Sequence, residues 1–182
     1  MNLPNKLTMA RVVMIPFFIF FMLSTSITGS NYIACAIFVI ASFTDMLDGY
    51  LARKYKLVTN FGKFMDPLAD KLLVCSALIC FLAVDSVNMP AWVVIVIISR
   101  EFIISGFRLI ASDNGVVIAA SYWGKFKTVS QMVMSVLLIL NFDNNVFQVI
   151  GQVFVYISVI LTIISLLDYI VKNKAVLADG QK

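Results

Sequence analysis

Long apolar runs alternate with short polar breaks along the whole chain. The first run follows MNLPNKLTMAR and extends to about Leu23, with Pro16 inside it, before STSITGSN turns the chain. Further runs cover about Tyr32 to Tyr50, Asp66 to Val84, Ala91 to Ala111, Thr128 to Phe142 and Val146 to Val171. A helix needs roughly 20 mostly apolar residues to cross a bilayer, so the pattern predicts six transmembrane helices. Ahead of them, Leu3, Leu7, Ala10 and Met14 share one stripe at helical spacing while Asn5, Thr8 and Arg11 step around another side. That predicts an N-terminal interfacial helix leading into span one. The basic start lacks a small-residue cleavage site and does not read as a removable leader. Six spans of about 20 residues leave only short loops. The expected fold class is therefore all-α integral membrane, with residues 1–182 as a single domain.

Composition agrees with the pattern. Of the 182 residues 61% are hydrophobic and 13% charged, which is not the make-up of a soluble domain. The net charge of +4 then reports membrane topology rather than nucleic-acid binding. The loops after spans one, three and five hold no Lys or Arg, only Asp85 and Asp143. The basic residues gather on the other side, which predicts cytoplasmic N- and C-termini and a multi-pass protein of the cell membrane. Cys35, Cys75 and Cys80 lie in apolar stretches without C-x-x-C spacing and read as small buried hydrophobes. With no histidine in the chain, acid–base and metal chemistry fall to carboxylates.

Those carboxylates are concentrated in DMLDGYLARKYKLVTNFGKFMDPLAD, residues 45–70. Asp45 and Asp48 are i, i+3 neighbours and Asp66 and Asp70 are i, i+4 neighbours, so on helices each pair presents two acids on one face. Antiparallel spans joined by a short basic connector carrying Arg53, Lys54, Lys56 and Lys63 would bring both pairs to one membrane face. Oxygen ligands without His or Cys select Mg²⁺ or Mn²⁺, and four carboxylates can hold two such ions. Two metals suit phosphoryl transfer, because they stabilise charge on both the attacking and the leaving oxygen. Gly49 and Ala52 share a face with Asp45, and Gly62 precedes Asp66 by one turn, leaving room for a bulky nucleotide. Arg53 offers a fork to phosphate. A structural reading is also open: Asp66 before Pro67 has the form of an N-cap followed by proline at N1, and the acids could simply pair with nearby cations.

The spacing D-x2-D-G-x2-A-R-x8-G-x3-D-x3-D, met by Asp45, Asp48, Gly49, Ala52, Arg53, Gly62, Asp66 and Asp70, resembles the signature of the CDP-alcohol phosphatidyltransferases. The resemblance implies six transmembrane helices, a cytosol-facing active site and a homodimer. It implies CDP-diacylglycerol as donor, with metal ions on its pyrophosphate held by Asp45, Asp48, Asp66 and Asp70, and CMP as leaving group. Asp70 then matches the family's general base, with Asp66 beside it. Donor contacts fall to Asp48, Gly49, Ala52, Arg53, Gly62 and Asp66.

LPNKLTMAR, SREFIISGFR and GKFKT are similar to the bacterial branch that uses glycerol 3-phosphate and makes phosphatidylglycerophosphate. That similarity adds Asn5, Thr8 and Arg11 to the nucleotide or phosphate pocket, although Arg11 also reads as an anchor of span one. Arg108, Lys125 and Lys127 are the candidate ligands of the acceptor phosphate. Glu101, Ser105 and Arg108 step along one helical face, so Glu101 is expected to orient Arg108, while Arg100 and Glu101 also read as an ion pair joining helices. Inositol phosphate, serine or a second phosphatidylglycerol are alternative acceptors. A cation transporter is a further class, because intramembrane acids line ion paths; against it, spans one, five and six carry no acid at mid-depth.

Overall fold

A computed structural model describes residues 2–55, 60–113 and 121–173. It consists of six α-helices, with no strand among the described residues: α1 (Leu3–Leu23), α2 (Ser30–Lys54), α3 (Asn60–Ala83), α4 (Ala91–Asp113), α5 (Tyr122–Leu140) and α6 (Asn145–Lys172). Two stretches, Asn5–Leu23 and Asn145–Lys172, are long and apolar enough to cross a membrane. The charges of α2, α3 and α4 interrupt their apolar runs.

The breaks between helices have local causes. Gly29 takes a φ of 78° in the turn before α2, a conformation that a side chain disfavours. Asn144 caps α6 by accepting the Val146 N–H at 2.9 Å. Asn141, at a φ of 39° just past α5, donates its amide to the Ser86 hydroxyl at 2.7 Å.

Two boundaries differ from the hydropathy reading. The expected interfacial helix is not a separate element, since α1 runs unbroken from Leu3 through Pro16 to Leu23. Helix α3 begins at Asn60, six residues before the expected start, and Pro67 lies inside it. Charged first turns shorten the apolar stretch of a helix without shortening the helix. The N-cap reading of Asp66 is thereby set aside.

The chain divides into two compact units. In the first, α1 lies against both α2 and α3, which touch each other far less. Thr8, Arg11, Ile15, Phe18 and Met22 form its buried stripe. Phe18 meets Phe38 of α2 with ring centroids 5.8 Å apart. Ala34 and Ala41 on α2 and Ala69 and Ala77 on α3 are fully buried, and such small residues let helices approach closely in an apolar medium. Residues 135–143 complete this unit.

The second unit contains α4, the earlier part of α5, and α6. Its interior is unusually polar. Ser130 and Ser158 share a hydrogen bond of 3.0 Å, and Arg100, Lys127, Gln131, Thr162 and Ser165 are all buried. Outward-facing Ile95, Val129, Val149 and Leu167 are exposed. Buried polar groups among apolar ones such as Val93, Ile97 and Val155, with apolar residues exposed outside, suit a membrane protein, where lipid covers the apolar faces and buried polar groups must pair with one another. The three cysteines are free thiols.

Phe18→Ala removes the buried ring contact with Phe38 between α1 and α2, and a loss of about 3–5 kcal/mol is expected. It will be read as a lowered thermal unfolding midpoint in detergent. An unchanged midpoint would show that Phe18 does not hold α1 in place.

Candidate active site

The site is assembled by one turn of α1. Thr8 and Arg11 are i, i+3 neighbours on its buried stripe, and both are fully buried. The Thr8 hydroxyl donates to Asp66 Oδ1 of α3 at 2.6 Å, and Arg11 Nη1 donates to Asp45 Oδ1 of α2 at 2.6 Å. One helix turn thus gathers acids from both halves of the motif, 21 positions apart in sequence (66 − 45). Arg11 is thus buried and paired with an acid of α2. A guanidinium withdrawn from water needs an ionic partner, and Asp45 supplies it.

Asp66 and Asp70 lie one turn apart on α3, as the i, i+4 spacing predicts. Asp70 is exposed, Asp66 and Asp45 are half-buried, and Gly62 is buried one turn before Asp66. Asn5 is buried on the turn of α1 preceding Thr8. Asp48, Gly49, Ala52 and Arg53 lie in the last turns of α2, and their side chains, like residues 56–59 of the connector, fall outside what is described. Among the described residues no group of three or more metal-ligating side chains is gathered. The donors that α1 does bring together are carboxylates with a hydroxyl beside them, partly open to solvent, which fits a hard divalent cation.

In the second unit the cations are held in two ways. Glu101 accepts from Arg100 Nη1 at 2.9 Å and from Lys127 Nζ. Arg100 Nη2 also donates to Ser165 Oγ at 2.5 Å. This knot joins α4, α5 and α6, as the ion-pair reading of Arg100 and Glu101 anticipated. Glu101 does not orient Arg108. A separation of seven residues is about 10 Å along a helix, whereas Lys127 of α5 is within direct reach. Arg108 instead lies over the ring of Tyr169, 6.0 Å from its centroid, and Lys125 lies 5.4 Å from the ring of Tyr122. Sequence reasoning missed both aromatic partners. The i, i+3 spacing of Tyr122 and Lys125 was a usable signal, but nothing in the sequence marks Tyr169.

The chain is similar to known proteins over most of its length. The sequence profile of the CDP-alcohol phosphatidyltransferases matches residues 1–164. A CDP-diacylglycerol--glycerol-3-phosphate 3-phosphatidyltransferase of Bacillus subtilis is 44% identical over 187 residues, covering 94% of this chain and 95% of its own. Its namesake in Haemophilus influenzae is 42% identical, covering 98% of this chain and 97% of its own. A probable phosphatidylglycerophosphate synthase of Mycobacterium tuberculosis is 38% identical, covering 94% of this chain and 81% of its own. With the aspartate motif complete, its two halves tied together by α1, and relatives this similar from end to end, the chain belongs to the CDP-alcohol phosphatidyltransferase family.

Proposed function

We propose that this protein transfers the phosphatidyl group of CDP-diacylglycerol to glycerol 3-phosphate, giving phosphatidylglycerophosphate and CMP. The observation that carries the reading is the pair of bonds from Thr8 and Arg11 that draws Asp66 and Asp45 together, in a chain whose relatives bear the name of this activity.

In the proposed reaction a hydroxyl oxygen of the acceptor attacks the lipid-side phosphorus of the donor. The bond from that phosphorus to the CMP oxygen breaks, and CMP departs with both electrons. Asp70 takes the hydroxyl proton, with Asp66 fixed beside it by Thr8. Asp45, Asp48, Asp66 and Asp70 would hold two divalent cations, Mg²⁺ or Mn²⁺, which when bound stabilise the charge on the attacking and leaving oxygens. Arg11 holds the Asp45 carboxylate and limits the repulsion that gathered aspartates would otherwise suffer. Asn5, Thr8, Asp48, Gly49, Ala52, Arg53, Gly62 and Asp66 are assigned to the donor. Arg108, Lys125 and Lys127 are assigned to the acceptor phosphate, Lys127 from its pairing with Glu101.

The same reading makes residues 1–182 one domain with six membrane spans, both termini cytoplasmic and the active site facing the cytosol of a bacterial cell. The protein acts as a homodimer. The donor enters sideways from the bilayer, because withdrawing its acyl chains would cost about 0.8 kcal/mol per CH₂.

The test is CMP release by purified protein in detergent with CDP-diacylglycerol, Mg²⁺ and a panel of glycerol 3-phosphate, inositol phosphate, serine and phosphatidylglycerol. Release is expected with glycerol 3-phosphate and is expected to stop on chelation of the metal. Release with a different acceptor would keep the aspartate chemistry and discard the acceptor assignment. Asp70→Asn should lower turnover by about 10²–10⁴-fold, the usual worth of a general base. Full turnover by that variant would remove Asp70 from the role.

Thr8→Val tests the bracket itself. It deletes one hydrogen bond to a carboxylate at nearly constant volume, so a stability loss of about 1.5–3 kcal/mol should accompany a fall in turnover. Thr8→Ser, which keeps the donor, should retain most of both.

A further inference from the structure

Arg100 and Lys127 share the Glu101 carboxylate, whereas Arg108 and Lys125 have no carboxylate partner among the described residues and sit instead against aromatic rings. The two arrangements differ electrostatically. A carboxylate fixes a cation and cancels its charge. A ring face fixes it through the quadrupole of the π-system and leaves its net charge available to an anion. The acid nearest to Tyr169 in sequence, Asp168, is taken by Lys172 at 2.7 Å. Helix α6 therefore offers Arg108 a ring and keeps its carboxylate elsewhere.

The two rings are not equivalent. Tyr122 is 79% exposed, while Tyr169 is 3% exposed. Tyr169 is also braced edge-on by Phe107, the residue before Arg108, with centroids 6.2 Å apart at 80°. A cation over a buried, braced ring is held more firmly than one over a solvated ring. The Tyr169 hydroxyl is buried and has no hydrogen-bond partner among the described residues. The position therefore uses the ring, not the hydroxyl. Residue 169 also lies beyond residues 1–164, the stretch that the family profile matches.

We propose that Tyr169 is a positioning residue for the acceptor: its ring holds the Arg108 guanidinium in place with its charge uncancelled, ready for the acceptor's phosphate. This rests on the assignment of Arg108 to that phosphate. The side chain acts through Arg108 and takes no part in the chemistry.

The experiment is steady-state kinetics of the full-length enzyme in detergent, with KM for glycerol 3-phosphate and for CDP-diacylglycerol measured separately. The variants are Arg108→Ala, Tyr169→Leu, Tyr169→Phe and the Arg108→Ala/Tyr169→Leu double. Tyr169→Leu should raise KM for glycerol 3-phosphate by about three- to tenfold and leave KM for CDP-diacylglycerol within about twofold. Tyr169→Phe keeps the ring and should match wild type. In the Arg108→Ala background Tyr169→Leu should add nothing, because the two residues act as one.

If Arg108→Ala leaves KM for glycerol 3-phosphate unchanged, the acceptor assignment of Arg108 fails, and the proposal fails with it. If Arg108→Ala raises that KM while Tyr169→Leu does not, or does so equally in both backgrounds, the role of Tyr169 alone is overturned. Should the Leu variant not fold, Tyr169→Met, close in volume but lacking a ring, is read in its place. A rise in KM with the well-packed Phe variant overturns the assignment to the ring in any case.

Discussion

The first unit depends on a single constraint: a buried arginine must find an anion. Arg11 is fully buried in the contact face of α1. A guanidinium withdrawn from water is tolerable only with an ionic partner and good geometry. Asp45 meets that need at 2.6 Å, and in doing so fixes the register of α1 on α2. Thr8, one turn earlier, fixes α1 on α3 through Asp66 at 2.6 Å. Once both bonds are made, two acids that belong to different helices face the same turn of α1. The packing of α1 on α2 and α3 and the placement of these two acids are thus one event. The apolar stripe from Ile15 to Met22 supplies burial, but burial alone does not choose a rotation of the helix about its axis. The polar turn does.

The aspartate motif was legible in the sequence because its spacing is tied to helix geometry. Asp66 and Asp70 could be placed on one face of a helix from their i, i+4 relation, and the structure has them there. The polar side of the first segment, Asn5, Thr8 and Arg11, was legible as a stripe. Its partners were not, because hydropathy says which side of a helix differs and nothing about what lies opposite. The same blindness explains Glu101. Its spacing to Arg108 along α4 was visible, whereas the approach of Lys127 from α5 is a tertiary fact. The start of α3 was misplaced for a different reason. The turns from Asn60 to Met65 are amphipathic and contribute little to an apolar window, so an apolar run reports the depth of the membrane better than the ends of a helix.

The second unit solves a related problem in the opposite way. Its interior carries Arg100, Lys127 and several hydroxyls beside buried Val93, Ile97, Met134 and Val155, while further apolar residues face outward. With no water to satisfy them, these polar groups must satisfy one another. Glu101 does most of this by accepting from two cations at once, with Ser165 accepting a second bond from Arg100. Such a knot fixes α4, α5 and α6 against one another more specifically than apolar contacts alone, since removing Glu101 strands two buried cations.

That economy of charge bears on the proposed chemistry. Both proposed substrates are anions, a nucleotide-linked pyrophosphate and a sugar-alcohol phosphate, and each needs positive charge that the protein has not already cancelled. In the proposed function the first unit meets the donor with Arg53 and with the divalent ions that its carboxylates would hold, while Arg11 is paired with Asp45. The second unit offers cations directly, but Arg100 and Lys127 are shared with Glu101. Arg108 and Lys125 escape that cancellation because their partners are rings rather than acids. A cation that shares a carboxylate keeps only part of its charge for an anion, as Lys127 does beside Glu101, whereas an aromatic face holds a cation and leaves its net charge uncancelled.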